Sequence, residues 1–110
     1  MRILIIDDNR ALNFLLTKFL KREGYQVENV FDGKSALQCL RSDLYDVVIT
    51  DYRLPDLTGL DVLERLQGSN VKKILISAYA NSVISQKAKL LGAQVLEKPF
   101  SNEMILGLMR

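Results

Sequence analysis

Four short apolar runs in this chain each end on a polar side chain that can do chemistry. Ile3-Leu4-Ile5-Ile6 meets Asp7-Asp8, Val47-Val48-Ile49-Thr50 meets Asp51, Ile74-Leu75-Ile76 meets Ser77, and Val95-Leu96 meets Glu97-Lys98. Within each run the apolar residues are consecutive rather than alternating, which predicts strands covered on both faces. The predicted strands are residues 2–6, Tyr25–Val30, Asp46–Thr50, Lys73–Ser77 and Gln94–Glu97. The second mixes polar residues with its valines and is placed at a sheet edge; the third is the most apolar and is placed at the centre.

Between the strands the apolar period becomes helical. Ala11, Leu12, Leu15, Leu16, Phe19 and Leu20 form one stripe, capped by Asp8 or Asn9 and closed by Gly24, with Phe14 off the stripe and partly exposed. Ala36, Leu37 and Leu40 mark a second helix after the Asp32-Gly33 break, with Cys39 half-buried on it. Leu60, Leu63 and Leu66 mark a short third helix between the Asp51–Gly59 loop, punctuated by Pro55, and Gly68-Ser69-Asn70. Residues 82–91 read as a fourth, with Ile84, Ala88 and Leu91 on one side and Gly92 at its end. Ser101 caps a fifth carrying Met104, Ile105, Leu108 and Met109.

Strand and helix thus alternate five times, which predicts right-handed crossovers and one parallel sheet with helices on both faces. The expected fold class is α/β: a single doubly wound (βα)5 domain with a five-stranded parallel sheet in the flavodoxin-like order 2-1-3-4-5. In such open sheets ligands lie beyond the carboxyl ends of the strands, at the reversal of winding. The first and third strands are neighbours there, ~4.8 Å apart, so Asp7 and Asp8 face Asp51 across a crevice shared with Ser77 and Lys98.

Composition narrows the chemistry by exclusion. The chain has 110 residues, 48% apolar and 25% charged, the size and balance of one soluble domain. Fifteen basic against thirteen acidic residues leave a net charge of +2, which gives no footing for nucleic acid. The pairs Lys21-Arg22 and Lys72-Lys73 read as solvated. With no histidine, a His base, a His metal ligand and a His phosphocarrier are all excluded. The lone Cys39 excludes an internal disulfide and fits a reducing compartment. No run approaches the ~20 apolar residues of a membrane helix, and the apolar start meets two aspartates by residue 7, unlike a signal peptide. A cytoplasmic location without membrane contact is expected.

Three carboxylates at one rim raise one another's pKa unless a cation joins them. An all-oxygen donor set suits a hard ion, and so few carboxylates favour Mg2+ over Ca2+. A cation, an ammonium (Lys98) and a hydroxyl (Ser77) around one carboxylate are equipment for a phosphoryl group. Asp51 is then the nucleophile, forming an aspartyl phosphate. For Asp7 and Asp8 the plainer role is a helix cap, but one aspartate satisfies that. Neutralising Asp51 is expected to stabilise the metal-free protein by ~1 kcal/mol.

The segments Ile5-Ile6-Asp7-Asp8, Ile49-Thr50-Asp51 with Leu54-Pro55 and Gly59, Ile76-Ser77-Ala78, and Gly92-Ala93 leading to Lys98-Pro99-Phe100 resemble the receiver domain of two-component response regulators, the chemotaxis-regulator-like family. The resemblance covers essentially residues 1–110. It implies that Asp51 is the phosphoacceptor and that Asp7, Asp8, Asp51 and the Arg53 backbone carbonyl hold Mg2+, Asp8 directly and Asp7 through water. It makes Ser77 the switch hydroxyl and Lys98 the phosphate-contacting lysine, and it implies a cis bond between Lys98 and Pro99. Val95 stands where the family carries a switch aromatic, so the signal would run through the loop and helix after Ser77, where Tyr79 either assists or simply packs at the rim. Arg53 and Tyr79 flank the phosphoryl position, which implies slow autodephosphorylation.

The implied partners are a sensor histidine kinase or histidine phosphotransfer protein as donor, and an output domain or downstream protein as target. A homodimer through the fourth helix, fifth strand and fifth helix is open, as is whether the receiver stands alone or belongs to a longer protein. Three alternatives compete. A degenerate receiver acting as an unphosphorylated interaction module fits less well, because every site position is filled. A flavodoxin-like cofactor binder would need a phosphate-cradling loop where Asp7-Asp8-Asn9-Arg10 stands. A dehalogenase-type phosphatase would need an aspartate at residue 53, where there is Arg53.

Overall fold

The computed structural model describes residues 1–78 and 82–110. The elements run β1 (Arg2–Ile6), α1 (Arg10–Arg22), β2 (Gln26–Val30), α2 (Gly33–Ser42), β3 (Val47–Asp51), α3 (Gly59–Glu64), β4 (Lys72–Ser77), α4 (Val83–Leu90), β5 (Gln94–Glu97) and α5 (Asn102–Met109). All four strand pairings are parallel, and the sheet order is β2-β1-β3-β4-β5. Every residue of β3, the middle strand, is buried, and β2 lies at an edge, as its mixed composition predicts.

Two cores form, one on each face of the sheet. Ile3, Ile5, Ile49 and Ile76 meet Leu16 and Leu20 of α1 and Ile105 and Met109 of α5. Leu4, Ile6, Val48 and Leu75 meet Ala36 of α2, Val62 and Leu63 of α3 and Ala88 of α4. Consecutive apolar residues along each strand therefore serve opposite cores.

Helix α1 corrects the sequence reading. Its buried side chains are Asn13, Leu16, Thr17 and Leu20, whereas Leu12 and Leu15 are exposed, at 49% and 65%. Residues 13, 16, 17 and 20 share one helical face, and polar Asn13 and Thr17 disguise it. Asn13 is inside because its amide donates to the carbonyls of Asp7 (3.1 Å) and Val30 (3.0 Å), closing the carboxyl ends of β1 and β2. Thr17 donates to Asn13 Oδ1 and accepts from Asn29, so the buried polar atoms are paired. The displaced Leu12 and Leu15 line a groove of about 820 Å³ that runs from Phe19 to Asp7, Lys98 and Phe100. Met104 is also exposed rather than packed.

Of the two candidate caps, Asn9 serves α1, accepting from Leu12 N–H. Gly24, at φ +95°, follows the C-cap in the left-handed conformation that glycine favours. The lysine pair that opens β4 is not simply solvated. Lys73 is buried with its ammonium on the Val71 carbonyl, and Lys72 donates to Leu108 O at 2.6 Å, satisfying a carbonyl at the end of α5. Among the described residues no helix is long and apolar enough to cross a membrane.

Candidate functional site: an acidic crevice at the carboxyl ends of the strands

Parallel register brings the ends of β1, β3 and β4 to one rim. Ile6 lies opposite Thr50, and Asp51 lies opposite Ile76, so the chain leaves β1 and β3 side by side. There Asp7, Asp8 and Asp51 each offer a carboxylate oxygen within 4.8 Å of the others. Asp7 and Asp51 are buried; Asp8 is exposed at the mouth. The structure thus brings together the three acidic residues that sequence reasoning selected.

Burial is the largest influence on Asp7 and pushes its carboxyl pKa up; the charges of Asp51 and Asp8 push the same way. The Asn9 amide, donating to Asp7 Oδ1 at 3.0 Å, and the Lys98 ammonium oppose the rise without cancelling it. Asp51 has its own counter-ion, with Lys98 Nζ 2.8 Å from Oδ1.

Lys98 reaches Asp51 from β5, across β4. Its N–H donates to Ser77 O (2.9 Å), continuing the ladder one residue past the strand, and the Lys98-Pro99 peptide is cis, as the resemblance implied. Asp51, Arg53, Ser77, Ile84 and Lys98 line a small cavity of about 90 Å³, so Ser77 and Lys98 share a space with the Asp51 side chain. Val95 is half-buried against the second core, opposite Leu75. Tyr79 lies outside the described residues.

The loop after Asp51 is tightly built. Tyr52 N–H donates to Ile76 O (2.9 Å), Gly59 N–H donates to Tyr52 O (2.7 Å), and Arg53 pairs with Thr58 in an isolated antiparallel bridge. A Cβ on Gly59 would sit 2.5 Å from Asp51 O and 2.7 Å from Leu75 Cδ1. No side chain fits there without displacing the residue that carries the central carboxylate. Thr58 and Asp61 then form a reciprocal capping box that starts α3.

The donor set is all oxygen, three carboxylates with backbone carbonyls nearby and no imidazole or thiolate. That chemistry fits a hard divalent cation. Sequence reasoning missed Asn13, which fastens the Asp7 carbonyl, and Asp56, whose carboxylate accepts from the Gly33 and Lys34 amides. The available signal for Asn13 was its place four residues before Thr17 and three before Leu16. Asp56 had none, because its partners lie 23 and 22 residues away.

Comparison with known proteins places these features in a family. The family model for the response regulator receiver domain matches residues 3–110. The response regulator MprA of Mycobacterium tuberculosis is 35% identical over 113 residues, covering 100% of this chain and 49% of that protein. The chain therefore spans about half the length of that relative. Sporulation initiation phosphotransferase F of Bacillus subtilis is 32% identical over 107 residues, covering 94% of this chain and 86% of that protein. Among solved structures, the response regulator protein TrrA from Thermotoga maritima, in complex with Mg(2+)-BeF, superposes with a TM-score of 0.82 at 29% identity over 97% of each chain.

Proposed function

Because the chain belongs to the response regulator receiver family, we propose that it is a phosphorylation-operated signalling switch whose acceptor is the Asp51 carboxylate. One observation carries the reading: a buried carboxylate stands within 4.8 Å of two others and 2.8 Å from a lysine ammonium, at the rim where the strands end. A cluster of this kind is costly as a purely structural feature and useful for phosphoryl transfer.

Asp7, Asp8 and Asp51, with the Arg53 backbone carbonyl, would hold Mg2+. When bound, the ion supplies positive charge against the carboxylates and the incoming phosphoryl oxygens. The TrrA structure, which carries Mg2+ and a beryllium fluoride group, supports this assignment. An Asp51 oxygen forms a bond to phosphorus as the P–N bond to a donor histidine breaks. The bonding pair goes to the imidazole nitrogen, which takes up a proton from solvent. Lys98 exchanges its contact with Asp51 Oδ1 for a phosphoryl oxygen, and the Ser77 hydroxyl donates to another. The protein catalyses only its own phosphorylation and slow dephosphorylation.

With no histidine in the chain, the donor is another protein, a sensor histidine kinase or a histidine phosphotransfer protein. Exposed Leu12 and Leu15 line the groove that leads to Asp7 and Lys98 and offer that donor an apolar surface beside the acceptor. The output leaves through the α4–β5–α5 face toward an output domain, a downstream protein or a second copy. Val83 and Leu90 on α4 and Met104 on α5 are exposed, which supports a binding role for these helices.

The test is intact-mass analysis after incubation with a small-molecule phosphodonor. One phosphoryl group is expected with Mg2+, and none with a chelator or in Asp51→Asn. Undiminished modification of Asp51→Asn would reject Asp51 as acceptor.

A further inference from the structure

The apex of the loop that carries Arg53 is held from outside the crevice. Its two ends are fixed beside Asp51 by the Gly59–Tyr52 hydrogen bond and the Arg53–Thr58 bridge. Between them the loop leans onto the start of α2. Asp56 Oδ1 accepts from Gly33 N–H at 2.8 Å, and Oδ2 accepts from Lys34 N–H at 2.9 Å. Leu57 packs beside it so closely that a Cβ on Gly33 would lie 2.8 Å from Leu57 Cβ.

Helix α2 already has an N-cap of its own, since Asp32 Oδ1 accepts from Ser35 N–H at 2.7 Å. A second carboxylate, arriving from 23 residues away, takes the two amides that Asp32 leaves. The same clamp that serves the helix also restrains the loop. A backbone carbonyl has no rotatable side chain with which to find a cation, so its aim is set by the dihedral angles of the loop that bears it. Partners outside the immediate ligand set commonly govern metal affinity in this way.

We propose that Asp56 is a positioning residue for the cation site, locking the loop apex to the first turn of α2 so that the Arg53 carbonyl stays directed at the ion. The inference rests on the Mg2+ reading above. It is tested by calorimetric titration of Mg2+ into the wild type, Asp56→Ala, Asp56→Asn and Asp32→Ala, with melting temperatures measured beside each.

Asp32→Ala strips a carboxylate from the same helical turn but leaves both Asp56 hydrogen bonds to the helix in place. It is expected to melt lower while binding Mg2+ as the wild type does. Asp56→Ala is expected to weaken Mg2+ about tenfold. Asp56→Asn keeps one acceptor oxygen and should fall between, giving a measurable result even if the alanine variant folds poorly. Wild-type affinity in both Asp56 variants, or an equal loss in Asp32→Ala, overturns the assignment. A wild type that binds no Mg2+ removes the site reading itself, and this inference with it.

Discussion

At the scale of single residues, the strain of gathering carboxylates falls unevenly. Asp51 is offset by the Lys98 ammonium at 2.8 Å, whereas Asp7 is buried with its pKa raised by desolvation first and by Asp51 and Asp8 after it. The expected gain from neutralising Asp51 therefore moves to Asp7, since Asp51→Asn also deprives Lys98 of its counter-ion. Asp7→Asn keeps an oxygen to accept the Asn9 amide and should stabilise the magnesium-free protein by ~1 kcal/mol in thermal or urea unfolding. A loss of stability in that variant would show that the acidic cluster is not strained. Asp7, Asp51 and Ser77 were legible in the sequence as polar groups directly after apolar runs, and Asp8 and Lys98 as the residues one place further on. Asn13 and Asp56 were not, because an asparagine in a helix and an aspartate after proline are ordinary solvated residues until the fold supplies their partners.

At the scale of elements, strands were easier to read than helices. Four consecutive apolar residues in β1 can only be a segment covered on both faces, and it pairs on both edges. In α1 the inward stripe contains Asn13 and Thr17, so a search for apolar period chose Leu12 and Leu15 in their place. Those leucines form a surface instead. Leu15→Glu should change unfolding free energy by less than ~0.5 kcal/mol and leave phosphorylation by a small donor intact. The same change should slow transfer from a histidine-phosphate protein, measured as the decay of donor label; equal rates would remove the groove as a docking face.

Strand β2 has a separate anchor at the opposite end of the sheet. Glu28 accepts from the Tyr45 hydroxyl at 2.7 Å and pairs with Arg2, whose guanidinium lies over the Tyr45 ring. The Tyr45 hydroxyl, then Arg2, hold the Glu28 pKa below its ordinary 4.5 against the opposing effect of burial. A depressed carboxylate stabilises the fold above its unfolded pKa, and that contribution fades as pH falls through the folded value. Comparing wild type with Glu28→Gln should show a stability difference, under ~1 kcal/mol for so exposed a pair, that is constant near neutrality and shrinks below about pH 4.5. A difference that grows on acidification would contradict the pairing.

At the scale of the molecule, the sheet order does most of the functional work, because β1, β3, β4 and β5 deliver Asp7, Asp51, Ser77 and Lys98 to one rim. Val95 has no ring to swing, so the switch would be read through Ser77 and α4. Arg53 is exposed at the lip of the small cavity; under the proposed function it would cover the line along which water reaches an acyl phosphate. Arg53→Ala should shorten the lifetime of the phosphorylated form severalfold in a chase without donor, and an unchanged lifetime would place the barrier elsewhere.

The most direct measurement is chemical. Reducing the phosphorylated protein with borohydride converts an aspartyl phosphate to homoserine, which peptide mass spectrometry locates to a residue. Homoserine at position 51, formed only when Mg2+ was present during phosphorylation, is the predicted result. Homoserine at another aspartate, or its appearance at position 51 without the metal, would contradict the account.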